Sequence, residues 1–111
     1  MKEFIEYLTL QIEAGKKDIA DLEKSGRKDD ADFAKVRTNI YDVCRTVTNA
    51  LMNRPGAGKE AVRAQLGRFE KEWQTALDKA REHGDTRNVV VSETKMAALE
   101  DVIAHFPEDK R

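Results

Sequence analysis

Apolar side chains recur at every third or fourth position along this chain, the repeat of one face of an α-helix. In the first segment the row is Ile5, Leu8, Ile12, Gly15, Ile19 and Leu22, with Phe4 beside it. Lys24-Ser25-Gly26 ends this segment, since glycine takes the left-handed conformation after a last helical turn at little cost. A second row, Phe33, Val36, Ile40, Val43, Val47 and Ala50, is broadened by Cys44 and Leu51 and follows Asp29 or Asp30 as the opening cap. It stops at Asn53-Arg54-Pro55-Gly56, where proline forces the preceding residue out of helical geometry. The third row is Val62, Leu66, Phe69, Trp73, Ala76, Ala80 and His83, closed by Gly84. The fourth, Met96, Leu99, Ile103 and Phe106, is halted by Pro107.

These boundaries predict helices over 2–25, 30–52, 58–83 and 92–106 in one domain spanning 1–111. Short connections make successive helices antiparallel. Narrow apolar stripes flanked by charge predict coiled-coil-like seams. The expected fold class is therefore all-α: an antiparallel up-down-up-down bundle of three long helices and a shorter fourth.

Val89-Val90-Val91 interrupts the pattern. Three consecutive β-branched residues favour extended backbone, so 88–91 is read as an extended connector whose valines plug the end of the bundle, with Ser92 capping the last helix. A start near Thr86 is the competing reading, because Val89 keeps the phase of Met96.

The longest apolar runs are three and four residues, far below the roughly 20 needed to cross a bilayer. The N-terminus lacks the apolar stretch of a secretory signal, and one cysteine, Cys44, suits a reducing compartment. A cytoplasmic protein is expected, without contact to membranes.

Several short matches to catalytic or binding motifs fail on inspection. Pro55-Gly56-Ala57-Gly58-Lys59-Glu60 resembles part of a phosphate loop, but Asn53 occupies the position of the first glycine and Glu60 that of the magnesium-binding hydroxyl. Ser92-Glu93-Thr94-Lys95 has the Ser-x-x-Lys spacing of acyl enzymes without their partner motifs. Asp101 and His105 share a helix face, which offers two metal ligands but more simply an ion pair at a helix end. Cys44 sits among Ile40, Val43 and Val47, where a thiol behaves as a small apolar group. No catalytic residue, metal site or cofactor is assigned, and an enzyme is not expected.

Charge supplies the remaining signal. The chain carries 20 basic and 21 acidic side chains, yet between Phe33 and Arg68 seven basic residues face only Asp42 and Glu60. Helix two is also polar outside its stripe: Thr38, Asp42, Arg45 and Asn49 follow helical spacing and would share a face. Because long narrow-seamed helices leave much surface uncovered, the leading expectation is a small interaction or adaptor protein, a homodimer or the partner of another helical protein. Its contact surface is placed at Thr38, Asp42, Arg45, Asn49 and Val90. The alternative is binding of nucleic acid or a phosphate ligand through Arg37, Arg45, Arg54, Lys59 and Arg63.

Overall fold

A computed structural model describes residues 1–107, which form four α-helices and, among the described residues, no strand. Helix α1 spans Lys2–Lys24, α2 Lys28–Met52, α3 Lys59–Glu82 and α4 Thr86–Ala104. None of them is long and apolar enough to cross a membrane.

Two of the connections are built by glycine. After α1, Gly26 has φ +74°; its N–H reaches the Glu23 carbonyl and the Arg27 N–H the Leu22 carbonyl. After α3, Gly84 has φ +63° and repeats the arrangement toward Arg81, while Asp85 bonds back to Ala80. This paired closure satisfies carbonyls that the helix leaves without partners, and a side chain would be strained at either glycine.

The second closure determines where α4 begins. Asp85 is at once the residue after the α3 glycine and the N-cap of α4, its carboxylate accepting the Asn88 N–H at 3.3 Å and the Asn88 side-chain amide at 2.6 Å. Val89, Val90 and Val91 consequently lie inside α4, with the Val89 N–H bonded to the Asp85 carbonyl at 2.9 Å. Residues 88–91 are not an extended connector, and Ser92 is a helix-interior residue rather than a cap. β-Propensity spans only about 1 kcal/mol and no strand is available to pair with, so a good cap and tertiary contacts prevail. The opening of α2 differs too: Arg27 is its N-cap without a side-chain cap bond, and Asp29 and Asp30 lie in the first turn, where carboxylates favour the helix dipole.

The core gathers Phe4, Leu8 and Ile12 of α1, Ile40, Tyr41 and Cys44 of α2, Val62 and Leu66 of α3, and Ala98, Leu99 and Val102 of α4, with Phe106 just beyond. Phe4 and Phe106 meet edge to face at 5.3 Å between centroids, a favourable aromatic geometry. α2 is the central helix, packing extensively on α1 and α4 and more lightly on α3, whereas α3 rests chiefly on α4.

The buried face of α2 is rotated from the apolar row. Thr38, Tyr41 and Thr48 are buried, while Val36, Val43 and Val47 are only half-buried and Ala50 is exposed. Threonine enters the interior because each hydroxyl donates to the carbonyl four residues back, Thr38 to Ala34 and Thr48 to Cys44, both at 2.7 Å. At the α1–α2 crossing Gly15 faces Thr38, and a Cβ on Gly15 would collide with that side chain. On α3, Leu77 is buried and Ala76 exposed, while Phe69 and Trp73 stack nearly parallel at 4.9 Å and are half-buried against the core.

Candidate functional site

The densest grouping of polar side chains lies where α1, α2 and α4 converge. The Tyr7 hydroxyl of α1 and the Tyr41 hydroxyl of α2 both donate to Oδ2 of Asp101 on α4, each at 2.6 Å. One turn further, the His105 ring stacks on Tyr7 at 3.8 Å between centroids, and its Nδ1 lies 2.8 Å from the Asp101 carbonyl and 3.5 Å from Oδ1. A carbonyl only accepts, so this Nδ1 carries a hydrogen. Above the Tyr41 ring stands the Arg37 guanidinium, its carbon 5.3 Å from the centroid.

The electrostatics follow from this geometry. Burial opposes ionisation of Asp101, but the hydrogen bonds from Tyr41 and Tyr7, together with the charges of His105 and Arg37, outweigh it and hold the carboxyl below its ordinary value. The tyrosines move the other way. Desolvation first, then donation to an anionic acceptor, pushes the Tyr7 phenol up to about 12 and raises Tyr41 further. Three helices are thus joined by one carboxylate that ionises readily and two phenols that resist it. No buried side-chain nitrogen or oxygen among the described residues is left without a partner. Such a fully satisfied network orders neighbouring helices.

The helical spacing pairs Asp101 with His105 but does not bring in the tyrosines. Tyr7 and Tyr41 lie off the apolar rows, and nothing in their spacing announces a common acceptor 94 and 60 residues away. Among the described residues no three of His, Cys, Asp and Glu are grouped as metal ligands. Cys44 is fully buried and desolvation pushes its thiol up to about 12, away from the thiolate that a nucleophile requires.

The predicted contact face on α2 is largely consumed within the molecule. Thr38 is buried against α1, and Arg45 donates to the Thr9 hydroxyl of α1 at 3.2 Å and reaches Asp42 at 3.4 Å. Asn49 remains exposed, and Val90 is 36% exposed on α4, distant in the chain from the rest.

The candidate phosphate contacts do not converge. Arg37 and Arg45 lie within α2, whereas Arg54, Lys59 and Arg63 surround the α2–α3 turn; Arg37 is about 22 Å of helical rise at 1.5 Å per residue from Met52, where α2 ends. Lys59 lines a hollow with Gly56, Ala57, Gly58 and Glu60.

No protein-family model matches this chain, and no curated protein or solved structure matches it either.

Proposed function

We propose that this protein acts by contact, as a small interaction or adaptor protein of the cytoplasm, and that it pairs with a second copy of itself through the outer face of α1. In this reading the helices run up, down, up and down, with coiled-coil-like seams. The meeting of Phe4 with Phe106 and the Glu23–Lys35 and Arg81–Glu93 ion pairs support that order of helix ends.

The observation that carries the reading is Leu10. It is 61% exposed, the most exposed of the large apolar side chains, and with Ile5, Glu6, Thr9 and Glu13 it lines a shallow, mainly apolar hollow. α1 packs chiefly on α2 and meets α4 through Phe4 and Tyr7, and Leu10 faces away from both contacts and stays exposed. Glu3, Leu10 and Lys17 are seven residues apart, two helical turns, and so share a face. If two copies of α1 cross head to tail on a two-fold axis at Leu10, Leu10 meets Leu10 and Glu3 of each copy faces Lys17 of the other. A two-fold contact must be self-complementary in this way. Glu3 and Lys17 are exposed and form no ion pair among the described residues.

Size exclusion coupled to light scattering tests the reading. Over a series of loading concentrations the mass is expected to climb toward twice the 12.6 kDa of one chain, and Leu10→Asp is expected to hold it at one. A wild-type mass of one chain at every concentration overturns the pairing. Nucleic-acid binding along the basic stretch is the weaker reading, because Arg45 is engaged by Asp42 and Thr9, remote from the α2–α3 turn.

A further inference from the structure

We propose that the cleft between the end of α2 and the first turns of α3 binds a small phosphorylated organic molecule, held between Arg54 and Arg68. The cleft has a volume of about 350 Å³ and is lined by Leu51, Arg54, Ala61, Ala64, Gln65 and Arg68. Ligand sites run from about 300 to 1,000 Å³, so the space suits a small molecule.

Its chemistry is one-sided. Arg27, Arg45, Arg81 and Arg87 each stand within 4 Å of a carboxylate. Arg54 and Arg68 do not, and among the described residues neither forms an ion pair. Among the described residues no acidic side chain lines the cleft; Glu60 belongs to the hollow on the Gly56–Gly58 side. Two guanidinium groups lining one cleft match an anion with several acceptor oxygens, since each presents a planar fork of donors. A phosphate monoester supplies three such oxygens and close to two negative charges.

The rest of the lining bears on the rest of the ligand. Leu51 and Ala61, both half-buried, and the exposed Ala64 are apolar. Gln65 adds one amide, able to donate and accept. A phosphate attached to an apolar or weakly polar organic group matches all three kinds of lining residue, whereas inorganic phosphate would use the arginines and the amide alone. The site is independent of the pairing through α1, which lies on another helix.

Phenyl phosphate is a suitable probe, titrated into the full chain at low salt and followed by ¹H–¹⁵N NMR. Saturable shifts are expected at Ala61, Ala64 and Gln65, with inorganic phosphate binding more weakly. Arg54→Gln and Arg68→Gln should each weaken binding by about tenfold or more, as the loss of a charge-assisted hydrogen-bonding partner does. Arg87→Gln, which alters an arginine on α4 outside the cleft, should leave it unchanged. Circular dichroism of each variant separates loss of binding from loss of fold. Non-saturating shifts, shifts extending to Arg37 and Arg45, or equal weakening by Arg87→Gln would overturn the site. A single-stranded oligonucleotide that saturates these amides while phenyl phosphate does not would overturn it in favour of nucleic acid.

Discussion

The Tyr41 hydroxyl lies 2.6 Å from Oδ2 of Asp101, tying the middle of α2 to the last turns of α4 across 60 residues of chain. Tyr7 shares the same oxygen. Removing the acceptor strands two donors, one of them on a side chain that is almost wholly buried. Asp101→Ala is therefore expected to cost about 2–3 kcal/mol, and Tyr41→Phe about 1–1.5 kcal/mol, because the phenylalanine ring keeps the packing. Urea unfolding of the single and double variants checks this: once Asp101 is gone, Tyr41→Phe should cost much less, giving a clear coupling energy.

The same network sets a pH dependence at both ends of the scale. Asp101 is more acidic folded than unfolded, so its contribution is fully present above the unfolded value near pH 4 and is lost as pH falls through the folded value. Acid unfolding of Asp101→Asn should lack that component. For Tyr7 the folded value is raised from 10.0 to about 12. Its contribution is intact below pH 10 and disappears as pH rises toward 12. Phenolate absorbance of the native protein should show no ionisation of Tyr7 near pH 10, where an exposed tyrosine titrates.

Two helix-interior glycines should respond to alanine with opposite sign. At Gly67 an added Cβ meets only the Arg63 Nη1, at 3.6 Å, so Gly67→Ala is expected to stabilise by about 0.5–1 kcal/mol. At Gly15 the Cβ would strike Thr38, with its Cβ and Cγ2 both 3.0 Å away. Gly15→Ala should destabilise by about 1–3 kcal/mol through overpacking, and Thr38→Ala in the same chain should relieve most of that loss. Thermal melts of the three variants decide the signs.

Val90→Asp offers a control on the contact surface. The side chain is 36% exposed on a continuous helix, where aspartate costs under about 1 kcal/mol in propensity. The variant should keep its helicity and its solution mass. A drop in mass would move the contact from α1 to α4.

The helical architecture was legible in the spacing of Phe4, Leu8 and Ile12, of Val62 and Leu66, and of Met96 and Leu99, all of them buried. The stops at Gly26 and Gly84 were equally plain, since few residues but glycine accept positive φ. Less legible was anything that depended on a partner distant in sequence. Thr38 reads as a surface residue from its polarity, yet its hydroxyl, like that of Thr48, is bonded to its own helix, so that each presents little more than a methyl group. The β preference of Val89 to Val91 points to extended backbone, and the Asp85 cap and the tertiary packing of α4 override it. The Asp101 network required three helices to be placed before its chemistry existed at all.

Charge reversal on α1 tests the pairing most directly. Glu3→Lys places lysine opposite Lys17 of the second copy and should shift the light-scattering mass toward one chain; Lys17→Glu should do the same. The double variant restores opposite charges across the two-fold axis and should recover the wild-type mass profile. A double variant that stays at one chain's mass, or single variants indistinguishable from wild type, would contradict the Leu10-centred contact.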